Sequence, residues 1–252
     1  MDDQSFRLGD HGRYPAKLMP ETIRTYGGNP SCGGEHTARA FDVVRYAHDS
    51  ATALLKAFYD IKGQRAATRG AATDEETDIL RAMVVTAGAA VDSSLKQLFR
   101  DTLRELAEHD ENVQSELSKF IARELAKLEG SPKLFEHLAN SFIADHPFYY
   151  WADRYVYKLT GSSLQSSEQL FTACAALGLE PAAVGLNATE IKEIFDMRNQ
   201  IVHEMDIDFS AARRNRRPRS VGTTTEATNK LLELAERIVQ KTDDNLCALT
   251  TT

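Results

Sequence analysis

Three polar side chains that suit phosphate chemistry lie close together in the last quarter of the chain. Arg198 and Asn199 are adjacent, and His203 follows Asn199 after one helical turn's spacing. An arginine holds phosphate oxygens with its forked guanidinium, a histidine exchanges protons near neutral pH, and an asparagine offers a neutral polar contact. This combination predicts a site that binds a phosphate and moves a proton.

The segment from about residue 188 to residue 205 is predicted to be the helix that carries these residues. Asn187 is a candidate N-cap, and Glu190 follows at the position of a capping box. The apolar stripe of this helix is interrupted by Arg198 at a core-facing position. Because an unpaired buried charge costs several kcal/mol, Arg198 must face a carboxylate, a phosphate or a polar cleft.

Apolar residues at helical spacing dominate the chain from about residue 38 to residue 246. Since no strand pattern is convincing, the fold is predicted to be all-α, an up-down helical bundle with an additional N-terminal helix. Thr73 is a candidate N-cap for a long central helix. Residues 1–37, rich in Gly and Pro, are predicted to form an irregular N-terminal arm, and residues 38–252 to form the helical domain.

The run from Arg198 to His203 resembles the R-x4-6-H motif of the HEPN superfamily, in which a polar residue commonly follows the arginine. The resemblance covers about residues 75–245, with a long helix, the motif helix and a closing helix. It implies an all-α, metal-independent endoribonuclease of a prokaryotic toxin or phage-defence system, with no cofactor. It also implies a homodimer with one composite site for RNA, and an antitoxin or other defence protein as partner.

The resemblance further implies a role for each residue of the motif. His203 would act as general base or acid on the ribose 2′-hydroxyl or the leaving oxygen. Arg198 would hold the scissile phosphate and stabilise the charge that develops on it. Asn199 would orient the histidine or bind the phosphate.

The identity of the acid that supports Arg198 is left open by the sequence. Family members tend to carry an acidic residue on the earlier long helix, which makes Asp92 a candidate partner of Arg198. Glu204 and Asp206, directly after the motif, are alternatives.

A cluster of five arginines follows the motif, although the formal net charge of the chain is −7. Such a basic patch on an acidic protein predicts contacts with RNA phosphates. The alternative is a linker whose arginines make no specific contact. The five residues are Arg213, Arg214, Arg216, Arg217 and Arg219.

Other features have less specific interpretations. Arg104 and His109 also match the spacing of the motif, but Glu105 follows the arginine, so we interpret this pair as part of a solvated helix surface. The aromatic residues between Phe148 and Tyr157 are expected in the core or an interface rather than stacked on bases. The alternative function is a non-catalytic HEPN-like module that binds RNA or protein, with Arg198 in a structural ion pair.

The composition bounds the remaining possibilities. With 42% hydrophobic and 27% charged residues, the sequence is typical of a soluble globular protein, and no apolar run is long enough to predict a membrane span. No secretory signal, metal-binding motif or phosphate-binding P-loop is recognisable, so a cytoplasmic protein without metal is expected. Cys32, Cys174 and Cys247 are far apart and are expected to be reduced thiols.

Overall fold

The structure, a computed structural model, describes residues 21–28, 30–31, 34–65, 72–144 and 146–250. These residues form eight α-helices and a short 3-10 helix at Pro181–Val184, with no strand. The helices are α1 (Gly34–Gln64), α2 (Asp74–His109), α3 (Glu111–Lys127), α4 (Pro132–Ile143), α5 (Pro147–Thr160), α6 (Ser167–Ala176), α7 (Ala188–Glu204) and α8 (Val221–Thr250). The predicted all-α bundle is confirmed, while residues 1–20 of the predicted arm lie outside the described part.

The central element is α2, which packs against α1, α3, α5, α7 and α8. Thr73 caps it in a complete capping box with Glu76, as the sequence predicts. Its apolar stripe, including Leu80, Leu95 and Phe99, is fully buried. Burying a side chain of this size stabilises the fold by about 1.5–3 kcal/mol, so the core along α2 fixes the elements around it.

Helix α7 runs along α2 in the opposite direction. Arg198 on α7 lies against Gly88 of α2. Asp206, just past the end of α7, binds Arg81, which lies about two turns before Gly88 on α2. The functional helix is therefore held at two points against the most buried helix of the protein.

The predicted limits of the helical region need correction. Helix α1 begins at Gly34, before the predicted start near residue 38, and α8 ends at Thr250, beyond the predicted end near residue 246. Ser166 caps α6 by accepting a hydrogen bond from the Gln169 amide. The first turn of α1 carries the polar Thr37 on its buried face, so hydrophobic periodicity misses this turn.

The expectation of three reduced cysteines is wrong for Cys247, which is disulfide-bonded. Cys174 is free and buried in the core, where desolvation raises the pKa of its thiol to about 11. Cys32 lies outside the described residues. Among the described helices, none combines the length and the apolar character that crossing a membrane requires.

Candidate functional site

The site is built on α7, whose two faces have different roles. Asn187 caps the helix by accepting hydrogen bonds from the amides of Thr189 and Glu190, although Glu190 does not complete the predicted capping box and binds Lys230 instead. The buried face consists of Ile191, Ile194, Phe195 and Ile201. The opposite face is therefore left to polar residues that solvent and ligands can reach.

Arg198 lies at the edge between the two faces, partly buried against α2. Its Cγ is 3.5 Å from the position that a Cβ on Gly88 would take, so the aliphatic part of the side chain covers this glycine. The Nε atom is buried and has no hydrogen-bond partner in the described part of the chain. Arg198 forms no ion pair with any residue that the structure describes. Burial lowers the pKa of this guanidinium, and the negative charge of Asp92 opposes the shift.

A shallow, open depression of about 330 Å³, called the cleft below, lies on the outer face of α7 and is lined by residues of that helix. His203 is exposed within it, and its imidazole makes no hydrogen bond or ion pair with a described residue. The residues that line the cleft recur every three or four positions, as one face of a helix requires. They are Asp196, Asn199, Gln200, His203 and Glu204.

Asn199 connects the arginine to this cleft. The Nη1 atom of Arg198 donates a hydrogen bond of 3.0 Å to Oδ1 of Asn199, and Asn199 shares the cleft with His203. The guanidinium of Arg198 therefore lies at the edge of the surface that carries the imidazole of His203. An amide and an imidazole therefore share one open space, and the guanidinium of Arg198 is bonded to that amide, which is an arrangement suited to holding and protonating a phosphate ester.

The three candidate acids have different contacts. Oδ1 of Asp92 accepts a hydrogen bond of 2.7 Å from the Leu164 amide, and its Oδ2 pairs with Lys96, so Asp92 influences Arg198 only through space. Glu204 lines the cleft and pairs with Arg217. No direct ion pair links either of them to Arg198.

Asp206, the third candidate, is fully buried and binds other arginines. Its carboxylate accepts hydrogen bonds from Nε of Arg81 at 2.8 Å and from Nε of Arg219 at 3.0 Å. Burial alone would raise the pKa of Asp206, but the hydrogen bonds from Arg219 and Arg81 lower it below the ordinary value. Asp206 is therefore not the partner of Arg198.

The arginine cluster divides into two groups. Arg216 pairs with Asp78, Arg217 pairs with Glu204, and Arg219 pairs with Asp206, so these three bind other parts of the protein. Arg213 and Arg214 are exposed, and their side chains make no contact of this kind with described residues. The RNA contact stays a prediction. Arg213 and Arg214 are its best candidates, because the other three guanidinium groups already have carboxylate partners.

The second arginine and histidine pair lies elsewhere, about 24 Å (Arg104) and about 32 Å (His109) along α2 from Gly88 at the usual helical rise. Arg104 binds both carboxylate oxygens of Asp153, and His109 lies 3.4 Å from Glu105. Glu105, Glu108 and His109 form the one group of described residues that could hold a metal ion. Nothing connects this surface to the cleft beside His203.

The aromatic segment before residue 158 is mixed in character. Trp151 and Tyr155 are buried in the core, as expected, whereas Phe148 and Tyr149 line a separate cavity of about 480 Å³ between α3 and α5. Tyr157 is 80% exposed. Core packing is confirmed for Trp151 and Tyr155, and the expected interface role of the exposed aromatic residues stays a prediction.

Several contacts around the site have no signal in the motif. Gln200 lies inside the motif and Asp206 directly after it, but their contacts with Arg81 and Arg219 arise only through the fold, since residues 81 and 206 are 125 positions apart in the sequence. A charged residue on the apolar stripe of α2 is the one clue that the sequence offers for Arg81.

Comparison with known proteins gives a family but no individual relative. The family model RiboL-PSP-HEPN matches residues 48–248, which include α2 to α7 in full. The match begins in α1, earlier than residue 75, where the resemblance was expected to start. No curated protein and no solved structure matches the chain.

Proposed function

Because the chain belongs to the RiboL-PSP-HEPN family, we propose that it is a metal-independent endoribonuclease that uses Arg198, Asn199 and His203. The observation that carries this proposal is the shared cleft: Asn199 and His203 line it together, and Arg198 reaches it through its bond to Asn199. A structural arginine would have an ion-pair partner, and Arg198 has none among the described residues.

The proposed reaction is attack of a ribose 2′-hydroxyl on the adjacent phosphorus. A neutral histidine takes the proton of the hydroxyl, the bond from phosphorus to the 5′-oxygen breaks, and a protonated histidine gives a proton to that oxygen. The products are a 2′,3′-cyclic phosphate and a 5′-hydroxyl. Arg198 stabilises the charge on the phosphate oxygens, and Asn199 holds the phosphate or the imidazole.

This reaction needs both an acid and a base, and one chain supplies one histidine at the cleft. A second copy of the chain supplies the other His203 when two motifs face each other across a dimer. The exposure of His203 and its lack of a partner among the described residues support this composite arrangement. Arg213 and Arg214 add contacts to RNA phosphates.

The test is cleavage of total RNA by the purified protein in EDTA. His203→Ala should lose cleavage by a factor of 100 or more, since general acid–base catalysis typically contributes about 10²–10⁴. His109→Ala is the matched control, because His109 has the same spacing from an arginine but lies outside the cleft, and it should retain full activity. Equal cleavage by wild type and His203→Ala would reject the proposal.

A role as toxin or phage-defence effector is part of the same proposal. Expression of the wild type in a bacterium should arrest growth, and His203→Ala should relieve the arrest at equal protein level. The alternative function is a module that binds RNA or a protein without cleaving. It would be supported if wild type retained RNA in a gel-shift assay and produced no fragments.

A further inference from the structure

The end of α7 has an unusual backbone. Met205 and Asp206 both adopt the left-handed conformation, with φ of 53° and 60°. Non-glycine residues rarely adopt it, and each such residue persists only where surrounding structure holds it. The Asp206 amide donates a hydrogen bond of 2.8 Å to the Gln200 carbonyl, which closes the helix three residues after His203.

The Asp206 side chain is what holds this conformation. Its carboxylate is fully buried and binds Arg81 of α2 and Arg219 in front of α8. Arg81 also donates a hydrogen bond of 3.1 Å to the Arg217 carbonyl. One buried carboxylate thus joins the end of α7 to two other elements of the fold.

Arg219, and Arg217 close to it in the sequence, also bind residues that line the cleft. Nη2 of Arg219 donates a hydrogen bond of 2.8 Å to Oε1 of Gln200, and Nη1 of Arg217 donates one of 2.9 Å to Oε2 of Glu204. Gln200 and Glu204 flank His203 in the cleft. The network around Asp206 therefore sets the positions of the neighbours of His203 on both sides.

We propose that Asp206 is a positioning residue for His203, acting through Arg219 and the closed end of α7. This inference rests on the proposed ribonuclease function. Arg216, Arg217 and Arg219 then serve chiefly to orient the site, and only Arg213 and Arg214 of the cluster are left for substrate. Misplacement of a catalytic group by about 1 Å can cost a factor of 100 in rate.

Arg219→Lys is the variant that separates positioning from folding. A lysine keeps a positive charge next to Asp206 but lacks the fork that binds Asp206 and Gln200 together. It should lower kcat ten- to a hundredfold and change KM for RNA by less than twofold. Asp206→Asn should have the same effect on kcat wherever circular dichroism shows it to be folded.

Asp243→Asn is the matched control. Asp243 is also fully buried and accepts hydrogen bonds from Thr37 at 2.6 Å and from Ser31, but it lies in the second half of α8. It should lower the melting temperature and leave kcat within twofold of wild type. An unchanged kcat in Arg219→Lys, or an equal loss of kcat in Asp243→Asn, would overturn the proposal.

A spectroscopic readout keeps this test separate from that of the proposed function. In NMR spectra of protein labelled at histidine, Arg219→Lys should shift the imidazole resonances of His203 and leave those of the buried His48 unchanged. If wild type does not cleave RNA but the shift is present, the ribonuclease proposal fails and the positioning proposal stands. Unshifted His203 resonances reject the positioning proposal whatever the activity.

Discussion

Arg198 combines burial with the absence of an ion pair among the described residues, and this combination has opposite effects on stability and on function. Its buried Nε lacks a hydrogen-bond partner, which typically costs about 1–3 kcal/mol. A phosphate in the cleft would supply the missing negative charge. The cost in the free protein is thus the expected consequence of a site that is prepared for an anion.

Arg198→Leu should therefore raise the free energy of unfolding by about 1 kcal/mol, because it removes a poorly solvated cation from the surface of α2. The same variant should abolish RNA cleavage. Urea denaturation at pH 7 and the EDTA cleavage assay measure the two effects. A loss of several kcal/mol in stability would instead show that Arg198 is a structural residue.

The sequence alone can identify Arg198 as anomalous, since a charge interrupts an apolar stripe at that position. It cannot identify the contacts of Asp92, because the Leu164 amide that binds Asp92 comes from a loop distant in sequence. For the same reason the sequence misplaces Asp206 among the candidate partners of Arg198. Local spacing predicts which residues share a helix face, while contacts between elements require the fold.

At the scale of elements, Asp206 links stability to pH. Its pKa in the folded protein is lower than in the unfolded chain, where it is about 3.9. The stabilisation is fully present above that value and is lost as the pH falls through the folded pKa. Asp206→Asn should be less stable than wild type by about 3–5 kcal/mol at pH 7, because it leaves Arg81 and Arg219 without a buried anion.

Urea denaturation from pH 7 down to pH 3 tests this link. The difference in stability between wild type and Asp206→Asn should shrink as the pH falls below about 4. There the Asp206 carboxylate of the unfolded wild type takes up a proton before that of the folded protein does, which favours unfolding. A constant difference across this range would contradict the assignment of a charged, arginine-bound Asp206.

The segment between α7 and α8 should divide its arginines by function. Replacing Arg213 and Arg214 with glutamine should weaken RNA binding with little change in stability. The slope of log K against log salt concentration should become less steep by about two, one for each lost phosphate contact. Replacing the exposed Arg100 and Arg123, on α2 and α3, is the charge-matched control. Equal losses of affinity in both double variants would indicate that only net charge matters.

The helices themselves could largely be predicted from the sequence, because caps such as Thr73 and Asn187 and a periodic apolar stripe are local signals. The first turn of α1 could not, since its packed face carries the polar Thr37. The division of the arginine cluster was equally out of reach, because each carboxylate partner is brought to its arginine by tertiary folding.

At the scale of the whole molecule, the proposed chemistry requires a dimer. Light scattering at micromolar concentration should give a mass of twice 28.0 kDa. A monomer at that concentration would remove the composite site.

Asn199→Asp should weaken cleavage in the EDTA assay, because it adds a negative charge where the scissile phosphate binds.

The end groups of the RNA products test the central claim most directly. After digestion in EDTA, wild type should leave 2′,3′-cyclic phosphate and 5′-hydroxyl ends, which ligation and end-labelling distinguish, and His203→Ala should leave neither. Products that carry 3′-hydroxyl and 5′-phosphate ends, or cyclic phosphates formed equally by His203→Ala, would contradict 2′-hydroxyl attack assisted by His203.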